Sequence, residues 1–318
     1  MSRSASAVVS GWGTAVPDAV VTNADFEARL DTTDDWIVER TGIRQRRVAG
    51  GEETTAVLAT AAGGAAVKQA GLTPSDIGVL VLATTTPDQV MPATSARVHE
   101  ALGLAGGAFD VNGACAGFVY ALITGAALVE SGRVEHALVV GADLMTRIVD
   151  PDDRGTAVLF GDGAGAVVLS ADSNGDDGLL AWELGCDGAA ADLLEVPAGE
   201  PFMRMDGREV FRRAVRVVVD SAAAALTRAG LVPGDVSLFV PHQANARIIT
   251  AAADRLGIPH DRTVLNIDRY GNTSAASIPI ALAEAADAGR VHDGAVVLLS
   301  GFGAGMTWGS AVLRWRAA

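Results

Sequence analysis

A single lysine, Lys68, stands among 23 arginines in this 318-residue chain. Lysine Schiff-base chemistry therefore has one candidate, in a segment that reads as a surface helix. Cysteine is also scarce. Cys115 and Cys186 cannot build a disulfide framework, and they fit a reducing compartment, the cytoplasm. Basic residues are outnumbered, 24 against 38 acidic, for a net charge of −14. That balance argues against nonspecific binding to nucleic acid or to an anionic membrane. Long apolar runs are missing too. Segments such as 137-ALVVGA-142 and 295-AVVLL-299 fall far short of the ~18 residues a membrane-spanning helix needs. A membrane protein is therefore not expected, although mean hydropathy is +0.30. The N-terminal MSRSASAVVSGWG reaches a Gly-Trp-Gly break after a brief apolar stretch, which reads against a signal peptide.

What is present describes a folded protein. Hydrophobic residues make up 49% of the chain, enough for one large domain or two of about 150 residues. Much of that fraction is alanine and valine, so helices and strands should pack closely through small side chains.

The chain repeats itself. The segment 70-AGLTPSD-76 returns as 229-AGLVPGD-235, each copy after an alanine-rich helical stretch and before a strand-like run. A second pair is 131-SGRVEHALVVGA-142 with 288-AGRVHDGAVVLL-299, and a third is 161-GDGAGAVVLS-170 with 301-GFGAGMTWGS-310. The third offset is shorter, which places extra residues in the first copy near 143–160. Short apolar runs alternate with alanine-rich stretches in each half, an α/β pattern with buried strands. The reading is two halves, 1–170 and 171–318, packed as a layered pseudo-dimer with a site where they meet. The offset of the second pair makes Cys115 and Asn272 equivalent positions.

Few residues have the setting for chemistry. Cys115 follows the strand-like AFDV and a small-residue turn, and precedes a long apolar helix. A helix N-terminus lowers a thiol's pKa, so a nucleophile is one reading and an inert buried cysteine the other. Cys186 lacks this context and reads as structural. His242, in 240-VPHQANARII-249, interrupts an apolar strand at its end, where α/β sites form. None of the five histidines pairs at metal-ligand spacing, so no metal site is expected. Asn272, in 270-YGNTSAASIP-279, reads as cap chemistry or as a site residue. The glycine clusters 161-GDGAG-165 and 301-GFGAGMTWG-309 run into strands and not helices, which excludes a dinucleotide fingerprint. They can present N–H donors to an oxyanion instead. Arginines gather in 39-ERTGIRQRR-47 and 203-MRMDGREVFRRAVR-216, suited to phosphates or an acidic partner.

These segments, with 31-DTTDDWIVERTGIRQRR-47, 109-FDVNGACAGFVYAL-122 and 151-PDDRGTAVLFGDGAGAVVL-169, resemble β-ketoacyl-acyl carrier protein synthase III, a condensing enzyme of the thiolase superfamily. The resemblance covers essentially the whole chain. It implies thiolase-like duplicated α/β halves in αβαβα layers, a homodimer, and an acyltransferase. By resemblance Cys115 takes an acyl group from acyl-CoA, malonyl-acyl carrier protein loses CO₂, and the enolate attacks the acyl-cysteine. His242 and Asn272 would stabilise the enolate oxygen. The backbone N–H groups of Cys115 and Ala304 would form a second oxyanion hole. Trp36, Arg40, Arg154, Gly207, Phe211 and Asn245 match CoA-binding positions, with Trp36 and Arg154 at the adenine. Arg212 and Arg247 match positions that dock the carrier protein. Acyl-CoA enters as a substrate, and no further cofactor is implied. Met91 stands where the family often has an aromatic residue that crosses the dimer interface and bounds the acyl pocket. Two other readings remain at this point: an acyltransferase of the same fold acting without condensation, and a Cys-His-Asn hydrolase.

Overall fold

The computed structural model describes residues 6–172 and 178–316. The first five residues of the segment read against a signal peptide lie outside them.

The first half opens with β1 (Ser6–Ala15). A small ribbon of β2 (Val20–Thr22) and β3 (Gln45–Arg47) brackets α1 (Asn23–Glu27) and α2 (Asp34–Thr41). There follow α3 (Thr55–Gln69), β4 (Val79–Ala83), α4 (Thr94–Leu102), β5 (Gly107–Val111), α5 (Gly117–Glu130), β6 (His136–Leu144), α6 (Arg154–Ala157) and β7 (Asp162–Asp172). The second half begins with β8 (Gly178–Cys186) and a ribbon of β9 (Leu194–Glu195) and β10 (Arg204–Met205). It continues through α7 (Gly207–Arg228), β11 (Leu238–Pro241), α8 (Ala246–Leu256), α9 (Ile267–Tyr270), α10 (Ser277–Asp287), β12 (Val296–Gly303) and β13 (Thr307–Arg314).

Local chemistry explains these elements. The Thr54 side chain caps α3 by accepting from the Val57 N–H, and alanines 56, 59, 62 and 66 form its buried face. Those small side chains let α3 lie almost on β1. A Cβ added at Gly13 would come within 2.5 Å of the Ala62 carbonyl oxygen. In β4, Val79, Val81 and Ala83 face one core cluster and Leu80 and Leu82 another, the period of a strand buried on both faces.

The strands form two sheets of matching order, β1-β7-β6-β4-β5 and β8-β13-β12-β11. In both, the first two pairings are antiparallel and the next is parallel. The second sheet's counterpart of β5 is reduced to one bridge, Phe239 with Thr263. Helices α3 and α4 cover the outer face of the first sheet, and α7 and α8 that of the second. Between the sheets lie α5 and α10, with Phe118, Leu122, Ile278 and Leu282 in a shared core. The layers are therefore αβαβα.

The repeat matches hold unevenly. In the first pair, Gly71 and Gly230 each take φ +70 at a helix end. Asp76 and Asp235 then accept, at 2.8 Å, from the N–H groups of Thr73 and Val232. The third pair is a correction. Gly161–Gly165 leads into β7, whereas Gly301–Gly305 closes β12 and begins the turn after it. Residues 145–161 join β6 to β7, and only 304–306 join β12 to β13. The equivalence of Cys115 with Asn272 is also corrected. Turns 114–116 and 274–276 correspond, each opening on a residue with positive φ, Ala114 at +49 and Ser274 at +50. Cys115 therefore matches Ala275, and Asn272 matches Asn112. The sequence offset fails because α10 has 11 residues and α5 has 14.

Candidate active site

Cys115 sits in the 3-10 turn between β5 and α5. The Asn112 side-chain oxygen accepts from the Ala114 N–H at 3.2 Å, and this turn puts Ala114 in left-handed backbone. The end of β12 presses on the turn from the other half. A Cβ at Gly303 would lie 2.5 Å from the Cys115 nitrogen. The side chain is 6% exposed. Burial, with the nearby Asp143 adding to it, pushes the thiol up to about 12. The helix end was expected to lower it; the closure of the second half over the turn outweighs that effect.

His242 follows β11, and its N–H donates to the Ser300 carbonyl at 2.8 Å. Its Nδ1 lies 2.6 Å from the Ser277 hydroxyl at the start of α10. The ring stands edge-on to Phe302, with centroids 5.5 Å apart. Burial in this apolar setting pushes the imidazole down to about 3, so it is neutral at ordinary pH.

Asn272 is held by the long first-half connection. Its N–H donates to the Leu159 carbonyl at 2.8 Å, and its own carbonyl accepts from Gly161 at 3.0 Å. Its side-chain oxygen accepts from the Ser274 N–H at 2.8 Å. That bond assigns the amide, so the NH₂ end turns to the cavity. The insertion thus positions Asn272, a role its sequence did not disclose.

Cys115, His242 and Asn272 line one cavity of about 170 Å³. Gly207, Phe211, Asn245 and Ala304, all named from sequence, line it as well. The other cofactor candidates lie outside that cavity and form a connected group. The Trp36 ring is flanked by the guanidinium groups of Arg40 at 5.0 Å and Arg154 at 4.9 Å. Asn245 Nδ2 donates to the Arg40 carbonyl at 3.0 Å, which joins this group to the cavity wall. Arg247 stacks over Phe211 at 5.4 Å. Arg212 is 73% exposed and paired with Glu209, beside the exposed Arg208.

A second cavity of about 380 Å³ opens on the other side of Cys115 and shares Phe160, Leu194 and Ala304 with the first. Thr85, Met145, Ile148 and Met203 line it, and none of them carried a sequence signal. Met91 lines neither cavity; it is 84% exposed beside the fully exposed Val90. Cys186 is exposed at the end of β8. Asp143, at the end of β6, is fully buried and also escaped the sequence reading. One of its oxygens accepts from the Thr85 N–H at 2.7 Å, and the other from the Ala275 N–H at 3.0 Å. It therefore ties a wall of the second cavity to the turn after Asn272. Among the described residues no group of three or more His, Cys, Asp or Glu side chains could hold a metal ion, and no helix is long and apolar enough to cross a membrane.

Two family models match the chain. 3-Oxoacyl-[acyl-carrier-protein (ACP)] synthase III covers residues 109–188, and its C-terminal counterpart covers 226–315. A beta-ketoacyl-[acyl-carrier-protein] synthase III of Sinorhizobium medicae is 48% identical over 97% of this chain and 99% of its own. The crystal structure of 3-oxoacyl-[acyl-carrier-protein] synthase III from Aquifex aeolicus superposes with a TM-score of 0.95 at 43% identity, covering 97% of this chain and all of that one. The priming beta-ketosynthase of the R1128 polyketide pathway gives 0.94 at 39% identity, covering 99% and 98%.

Proposed function

The chain belongs to the β-ketoacyl-acyl carrier protein synthase III family, and we propose how its own residues divide that family's reaction. The enzyme is an acyltransferase that condenses an acyl-CoA with malonyl-acyl carrier protein and so initiates fatty acid synthesis. One observation supports the division most: Cys115, His242 and Asn272 share one cavity, and the imidazole and amide are both buried and uncharged.

In the first half-reaction the Cys115 sulfur attacks the thioester carbon of acyl-CoA. The carbon–sulfur bond to CoA breaks, and the thiol proton leaves with CoA. Backbone N–H groups of Cys115 and Ala304 are the donors for the transient oxyanion. The acyl chain then occupies the second cavity, against Met145, Ile148 and Met203. In the second half-reaction the malonyl thioester loses CO₂, and the electrons of the broken carbon–carbon bond form an enolate. His242 Nε2–H and Asn272 Nδ2–H donate to the enolate oxygen. The enolate carbon attacks the acyl-cysteine, and the Cys115 sulfur departs and is reprotonated. Loss of CO₂ needs stabilised negative charge and no strong base, so two neutral donors suffice, and a carboxylate there would oppose it. Simple acyl transfer has less need of the Asn272 donor.

Trp36, Arg40 and Arg154 are the surface for the CoA nucleotide, and Gly207, Phe211 and Asn245 line the path inward. Arg247, exposed Arg208 and Arg212 suit an acidic carrier protein. Glu209 already balances part of Arg212's charge, which gives Arg247 the larger share. No metal or redox cofactor enters this scheme, and a cytoplasmic site of action fits its substrates. We assign a homodimer formed across β5, an open sheet edge that carries the exposed Phe109; Val90 and Met91 are also exposed apolar residues. Light scattering of purified protein tests that assembly.

A carrier protein of polyketide synthesis is the second reading of the acceptor, favoured by the likeness to the R1128 enzyme. Incubation with acetyl-CoA tests the core of the proposal: Cys115 should gain one acyl group by mass spectrometry. Release of CO₂ from malonyl-acyl carrier protein should follow. A protein whose Cys115 stays free, or whose Cys115→Ala variant keeps full activity, overturns it. Comparing kcat/KM for the two kinds of carrier protein separates the acceptors.

A further inference from the structure

A neutral imidazole donates from Nε2 only if its proton sits there, and the choice of nitrogen falls to whatever Nδ1 meets. Here Nδ1 meets one group, the Ser277 hydroxyl, at 2.6 Å. Serine can serve as donor or acceptor, so that contact alone leaves the tautomer open. The rest of the Ser277 environment closes it. Its oxygen already accepts from the Gln243 N–H at 3.4 Å. Among the described residues its hydroxyl hydrogen has one acceptor within reach, His242 Nδ1. Ser277 is 2% exposed and His242 2%, so water does not replace that acceptor. An Nδ1–H tautomer would put two hydrogens in the 2.6 Å gap or leave the buried O–H without a partner.

We infer that Ser277 is a positioning residue for the condensation step: its hydroxyl donates to Nδ1 and so fixes the His242 proton on Nε2, facing the cavity. Gln243 in turn fixes Ser277. The Gln243 amide donates to the carbonyls of Pro241 at 2.9 Å and Val264 at 3.1 Å, and its oxygen accepts from Asn266 at 3.0 Å. The side chain is thereby locked beside its own N–H, which points at Ser277. Ser277 directly follows the 274–276 turn that orients Asn272. This turn and the first residue of α10 thus set both donors, the amide through Ser274 and the imidazole through Ser277. This inference rests on the condensing reading above only in the use it gives the proton.

Two measurements test it. The first is ¹⁵N NMR of the full chain labelled at histidine, with His242→Ala to identify the signals. The unmodified protein should show a protonated Nε2 and a bare Nδ1 at His242, and Ser277→Ala should lose that preference. A proton on Nδ1 in the unmodified protein, or an unchanged tautomer in Ser277→Ala, overturns the inference. The second compares half-reactions. Ser277→Ala should acylate Cys115 within about twofold of the unmodified rate, because acylation uses backbone donors, yet release CO₂ from malonyl-acyl carrier protein at least about tenfold more slowly. Equal slowing of both steps, or no slowing of CO₂ release, counts against it. If the unmodified enzyme releases no CO₂ at all, the condensing reading fails, and the NMR result still decides the role of Ser277.

Discussion

Asn112 and Asn272 occupy equivalent places in the two halves and make the same bond. Each side-chain oxygen accepts from the backbone N–H two residues on, Ala114 in one case and Ser274 in the other. Each bond closes a turn that enters a central helix through one left-handed residue. One asparagine precedes Cys115, and the other turns its amide hydrogens to the proposed enolate site. Asn272→Asp separates these two tasks. The carboxylate still accepts from Ser274 but offers no donor and places negative charge beside the enolate. Release of CO₂ should fall about 100-fold or more, while acylation of Cys115 continues. Loss of both steps together would assign Asn272 to architecture alone.

Trp36 lies between two guanidinium groups, the proposed surface for the CoA nucleotide, far from the reacting carbon. Trp36→Ala and Arg154→Ala should each raise KM for acyl-CoA by roughly tenfold. Neither should change the rate with acyl-pantetheine, which lacks the nucleotide. An equal loss with both substrates would place the defect in local structure around α2 and α6 and not in nucleotide binding.

Cys115 gives a pH prediction with a definite sign. Burial raises its thiol to about 12, so the thiolate fraction keeps growing throughout the neutral and alkaline range. In a Cys186→Ser background, alkylation of Cys115 should speed up about tenfold per pH unit to about pH 10 without levelling. A plateau near pH 8 would mean that the helix end prevails over burial.

Much of this was legible in the residues, and the failures have physical causes. The motif Ala-Gly-Leu-x-Pro-x-Asp exposes the duplication because it specifies a helix end, a left-handed glycine and a capped turn, all local. The equivalence of Cys115 and Asn272 went wrong because it was counted back from the far ends of helices of unequal length. The raised Cys115 thiol was not legible because part of its burial comes from Gly303 of β12, 188 residues downstream, which only tertiary packing brings close. Ser277 reads as an ordinary helix-start serine until His242 is seen above it. Asp143 looks like a strand-end acid until six donors converge on it, five from 84–86 and one from Ala275.

His242 links the site to stability. Its folded pKa, about 3, lies below the usual 6.5 because its environment is apolar. On acidification the unfolded chain therefore takes up this proton first. The stabilisation is complete above pH 6.5 and is lost as pH falls toward 3, at roughly 1.4 kcal/mol per unit from this one group. His242→Gln removes the titration. Its urea midpoint should fall less than that of the unmodified protein between about pH 7 and pH 5, even if it starts lower. Parallel loss in the two proteins would mean that other groups govern acid unfolding and that His242 already carries a proton in the fold. A charged imidazole would also bind the malonyl carboxylate as readily as the enolate, so the same titration bears on whether this histidine favours the transition state over the substrate.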